Sequence, residues 1–139
     1  MAEKKVIVAF AAGVILANEI YDESEKFAIS TVAKTLGFEE QEIFNAIDTE
    51  IAKQEAMSDE DIDAYLIDMA KDIDENDMLE IFQICLVIVL SDGILCKEET
   101  AILLSFANVL NIDTVYATMM IAYMVNKKPD IVIEIDLGN

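Results

Sequence analysis

Two stretches of the chain, Val6 to Leu16 and Met78 to Leu90, are almost wholly apolar and 11 to 13 residues long. Neither alternates strictly nor contains turn signals, so both are expected to be helices despite their Val and Ile content. A helix that is hydrophobic nearly all round belongs in the middle of a domain. Each run is followed by a polar, acid-containing loop and then by a one-sided apolar pattern. In the first case the stripe is Phe27, Ile29, Val32, Ala33 and Leu36; in the second it is Ala101, Leu103, Phe106, Ala107 and Leu110. Both stripes are expected to pack on the central pair.

Sliding the chain against itself by 74 positions aligns residues 6–43 with 80–117 without a gap. Ile7/Ile81, Leu16/Leu90, Ile20/Ile94, Glu25/Glu99, Ala33/Ala107 and Leu36/Leu110 are identical. Gly37 aligns with Asn111, the two residue types that best tolerate the left-handed conformation closing a helix. Between these units the i, i+3, i+4, i+7 spacing predicts helices over about 39–56 and 59–72, the second opened by Ser58 with Asp61 as a capping pair. A seventh helix is expected from about Asp113 to Asn126, with Pro129 just past its end. Its Met119, Met120, Tyr123 and Met124 could form an adaptable partner groove, but at helical spacing they read as core, as do Tyr65 and Tyr116. The tail from 129 to 139 carries Ile131, Ile133 and Ile135 at period two, an extended segment without a strand partner in the chain. It is expected either to lie over the domain or to pair with a second copy, a route to a homodimer. The fold expected is therefore all-α, about seven helices, one domain over 1–139, with duplicated helix-loop-helix units around two central apolar helices.

Composition narrows the chemistry. There are 28 acidic residues against nine Lys, a formal charge of −19, and residues 1–77 carry 20 of the acids. Such a field repels nucleic acid and anionic bilayers and concentrates cations. His and Arg are absent, which removes an imidazole base, a His metal ligand and a bidentate phosphate clamp. Paired carboxylates can hydrolyse glycosides, but a helical domain of this size offers no evident cleft, and no enzyme is expected. Cys85 and Cys96 have neither the number nor the spacing of a disulfide framework or a zinc site. Met1-Ala-Glu-Lys-Lys before the first apolar run imitates a signal peptide. That run is too short to cross a bilayer and recurs within the chain, so a cytoplasmic protein without direct membrane insertion is expected.

The loop after the second apolar run, Ser91-Asp92-Gly93-Ile94-Leu95-Cys96-Lys97-Glu98-Glu99, holds the candidate chemistry. Asp92 ends one helix and Glu99 lies a turn into the next, with Glu98 beside it. Across a bend at Gly93 these carboxylates can converge on a hard cation such as Ca2+, Mg2+ or Mn2+. The matching positions in the first unit are Asn18 and Glu25, with Glu19 and Asp22 nearby. The competing structural reading is that Asp92 sets the turn while Glu98 and Glu99 serve a helix N-terminus. Asp72-Ile-Asp74-Glu-Asn76 opens like an EF-hand loop, but Asp77 stands where Gly is needed and Gln83 where a bidentate Glu is needed. It is expected to be a polar connection.

An apolar helix, an Asp-Gly loop, a Glu one turn on, a helix closed by Leu-Gly or Leu-Asn, and a repeat of the whole resemble the tellurite-resistance TerB-like family over nearly the full chain. The resemblance implies an all-helical fold, acidic loop residues proposed to bind metal, and a place in stress-response and membrane-associated complexes with a protein partner. Its acidic positions fall on Asp92 and Glu99, and on Asn18 and Glu25. The first unit departs from the pattern, having Asn18-Glu19 where Asp-Gly is usual, so a working site is expected in the second unit. An interaction domain without metal, its acids serving solubility and capping, is the alternative.

Overall fold

The computed structural model describes residues 3–18, 21–128 and 132–133, with the side chains of Asn18, Val132 and Ile133 left out. Seven helices run in order: α1 Lys4–Asn18, α2 Glu23–Leu36, α3 Glu40–Glu55, α4 Asp59–Ala70, α5 Glu75–Val89, α6 Lys97–Val109 and α7 Thr114–Asn126. The fold is all-α, as the periodicity indicates. Helices α1 and α5 are the central ones. Every residue from Val6 to Ile15 is buried, and so are Ile81, Phe82, Ile84–Leu86 and Ile88–Leu90 in and just after α5. Helix α1 touches α3, α4, α5 and α6, which explains why its stretch from Val6 to Ile15 carries no charge. Each fully buried Val, Leu, Ile or Phe contributes about 1.5–3 kcal/mol by leaving water.

Caps recur 74 positions apart. The Glu25 carboxylate accepts from the Asp22 N–H at 3.2 Å, and that of Glu99 from the Cys96 N–H at 3.0 Å. Helix α2 closes on Gly37 at φ +79°, and the chain leaves α6 through Asn111 at φ +59°. The next amide in each case, Phe38 or Ile112, donates back to Ala33 or Ala107 at 2.8 and 2.7 Å. This is the left-handed stop that Gly and Asn accept with least strain. Glu39 and Asp113 then cap α3 and α7. The repeating unit thus extends past the pair of helices legible in the sequence to a third, α3 in one half and α7 in the other. Helix α4 has no counterpart and bridges them, opened by Ser58, whose hydroxyl accepts from the Asp61 N–H at 3.2 Å.

Three expectations need correction. Phe27 and its counterpart Ala101 are exposed, because they lie on the outer sides of α2 and α6 while Ala28, Ile29 and Ala33, and Leu103, Phe106 and Ala107, face inward. Met119, Tyr116 and Tyr123 are also exposed, since Ala117 and Ile121 carry the inward face of α7. The tail does find a partner in its own chain: β2, Val132–Ile133, pairs in parallel with β1, Ile94–Leu95. That partner hides in the acidic loop as two residues between Gly93 and Cys96, too few to show a period. The rest of the tail expectation, including Ile131 and Ile135, lies outside the described residues. The segment resembling an EF-hand is the α4–α5 connection, where Asp74 caps α5 by accepting from the Asp77 N–H at 2.9 Å.

Close packing at the centre rests on one glycine. A Cβ built on Gly13 would lie 2.8 Å from Cζ of Phe106. That ring is itself buried and held edge-on against Phe10, centroids 5.2 Å apart. The Gly13→Ala substitution gains about 1 kcal/mol of helix propensity but overpacks the α1–α6 contact, which costs about 1–3 kcal/mol. A net loss of stability is expected in denaturant unfolding, and Phe106→Leu in the same chain should reverse much of it.

Candidate functional site

The second bend is built by a change of helix type. Helix α5 ends at Val89 and tightens into a single 3-10 turn, Leu90–Asp92, which Gly93 closes at φ +78°. Few residues other than glycine adopt that backbone cheaply. The Asp92 carboxylate accepts from the Ile94 N–H at 2.9 Å and so fixes the exit of the turn. Leu95 is buried, Cys96 is the N-cap of α6, and Glu99 reaches back to it. Burial pushes the Cys96 thiol up to about 11, with the Glu99 carboxylate adding to the effect. It is a thiol at neutral pH.

Glu25 crosses from one unit to the other. It is 1% exposed and Glu99 3% exposed, and both are N3 residues of their helices. One Glu25 oxygen serves the Asp22 amide. The other lies 3.0 Å from the Ser91 hydroxyl of the second bend, whose oxygen is also 2.7 Å from the Ile88 carbonyl. A single hydroxyl proton faces two acceptors when Glu25 is ionised. Once Glu25 holds a proton it can donate to Ser91, leaving the serine proton to Ile88. Burial accordingly raises Glu25 above the ordinary carboxylate range, while exposed Asp22 is pulled below it by hydrogen bonding to Glu25.

The structure therefore draws four carboxylates from the two units into one neighbourhood. Asp92 is raised by burial and then by the negative charges of Glu99 and Asp22. The Asp22 charge likewise adds to the upward shift of Glu25. Of the residues singled out from sequence, Asp92, Glu99 and Glu25 belong to this junction. Glu98 is exposed on the first turn of α6. The Asn18 side chain and Glu19 lie outside the described residues. The role of Ser91 was not readable from spacing, since its partner is 66 positions away.

The donor set is oxygen-only, which suits a hard cation. Among the described residues, however, no three His, Cys, Asp or Glu side chains are placed to hold a metal together. Three of the four carboxylates, Asp22, Glu25 and Glu99, also have an oxygen committed to a helix cap, and Asp92 holds the Ile94 amide. No described helix is long and apolar enough to cross a membrane.

If ionised Glu25 and Asp92 are disfavoured by folding, stability should rise as pH falls from neutrality toward their raised range, because the folded chain takes up protons before the unfolded one does. Thermal unfolding across pH 7 to 5 should show that rise. The slope should be flatter in Glu25→Gln/Asp92→Asn, in which both caps can still accept their N–H bonds.

A family model described as Tellurite resistance protein TerB matches residues 4–119, from α1 into α7. No curated protein and no solved structure shows a significant match. The matched span covers both bends, the buried central helices and the capping glutamates, and the chain belongs to the TerB family.

Proposed function

We propose that this chain is a non-enzymatic binding module of the TerB kind, in which a hard divalent cation, Ca2+, Mg2+ or Mn2+, settles the acidic junction between the two bends. The observation that carries this reading is the nearly inaccessible Glu25 carboxylate, brought against Ser91 beside Asp92, with the negative charge of Asp22 acting on it. Buried like charges cost stability unless protonated or countered. A cation would be held chiefly through Asp92 and Glu99, with Glu25, Asp22 and water completing the oxygen set. The committed cap oxygens make such binding weak, in the range of about a millimolar. Family membership supports a role beside a protein partner in a stress-response complex, in the cytoplasm.

A second reading, an interaction domain with no metal, is favoured by a different observation. Glu25, Glu99 and Asp92 each hold a backbone amide, so each acid already has a structural task. In that case the junction rigidifies the bends, and the acids elsewhere keep the chain soluble.

Thermal unfolding separates the two. At about 10 mM Ca2+, Mg2+ or Mn2+ and a millimolar Kd, the gain is about 1.4 kcal/mol, or roughly 4 °C in Tm. Asp92→Asn/Glu99→Gln should abolish it, because amides accept the same N–H bonds but carry no charge. Equal shifts in both proteins, or the same shift with NaCl at matched ionic strength, would sink the cation reading and leave the interaction domain.

A further inference from the structure

Among the described residues, helix α7 is the only α-helix without a charged residue. Ala117 and Ile121 are its buried side. On the opposite side Val115, Met119 and Tyr123 are 67%, 65% and 59% exposed. Their spacing of four places them in one continuous stripe. Large apolar residues standing singly on a surface are ordinary, but an aligned row of them marks contact.

The first half of the chain supplies an internal control. Helix α3 lies 74 positions earlier, has an acidic N-cap at the matching position, and buries Ile43 and Ile47 where α7 buries Ala117 and Ile121. The α3 residues matching Val115, Met119 and Tyr123 are Gln41, Asn45 and Thr49, all exposed. A polar outer face is therefore compatible with this place in the fold. Among the described residues, no packing contact of the chain on itself calls for the apolar one.

We infer that this face of α7 pairs with the same face of a second copy, the two helices antiparallel about Met119. Charge selects that occupant. Asp113 stands at one end of the helix, and Lys127 and Lys128 follow the other. In the antiparallel arrangement Val115 meets Tyr123 of the second copy, and Asp113 comes within a turn of the second copy's Lys127 and Lys128. The pairing is isologous and closed, as a two-fold dimer requires. With a formal charge of −19 per chain, most other contacts between copies would set acid against acid. The α7 face avoids this, and two of the nine Lys lie at its end. Thirteen residues give a contact about 20 Å long, at the small end of stable interfaces, so association is expected on the order of 10–100 µM.

Sedimentation equilibrium on the full chain tests this. The mass should rise from 15.5 kDa toward twice that value between about 5 and about 500 µM, the range set by the expected affinity. Val115→Gln/Met119→Asn/Tyr123→Thr, which writes the outer face of α3 onto α7, should stay monomeric with unchanged helicity. Lys127→Glu/Lys128→Glu should weaken association about tenfold. A wild type that remains monomeric throughout overturns the inference. So does a dimer that survives the triple substitution, which must then be built elsewhere, the tail included. Should the triple variant fail to fold, the lysine reversal decides, because those residues follow the helix and are exposed; a dimer indifferent to it rules out the antiparallel pairing.

Discussion

A helix buried from residue 6 to residue 15 has no side left for water, and the rest of this molecule is arranged to supply that enclosure. Helix α1 cannot be covered by one neighbour, because a single packed helix shields only a stripe. It is met instead by α3, α4, α5 and α6, drawn from both halves of the chain. The halves are consequently not independent bodies. Even the polar contacts follow this rule, since Gln54 of α3 donates its buried amide to the Ala9 carbonyl at 2.9 Å. The absence of a Cβ at position 13 sets how near α6 can come.

Enclosure also explains why the acids of the bends behave differently from those on the surface. The exposed carboxylates of α3 and α4 sit in water. Glu25 and Glu99 have been carried inward by the helices they cap, and each trades solvent for a backbone amide. The trade is incomplete where the two units meet, because the single Ser91 hydroxyl proton faces both the Glu25 carboxylate and the Ile88 carbonyl. A protonated glutamate, a cation or some reorganisation of the bend are the available physical remedies.

Most of the helical framework was legible because its signals are local. Apolar runs too long for strands, the Ser58 and Asp113 starts, and the Gly37 and Asn111 stops all act within a turn of the chain. The failures were of another kind. Periodicity cannot say which of two apolar stripes on one helix faces inward, so Met119 and Tyr123 passed for core although Ala117 and Ile121 fill that role. At the junction, Asp92 and Glu99 stand out by spacing alone, whereas the bond from Ser91 to Glu25 depends on how the units pack and leaves no local trace. The strand pair was hidden for the same reason, being two residues long on each side.

That short strand pair gives the end of the chain a particular leverage. Val132 lies beside Ile94, two residues after the carboxylate that sets the turn. A pull applied beyond residue 133 would be transmitted along paired backbone directly into the bend, without first loosening the helical core. The paired residues Val132–Ile133 are therefore a handle on the bend that carries Asp92.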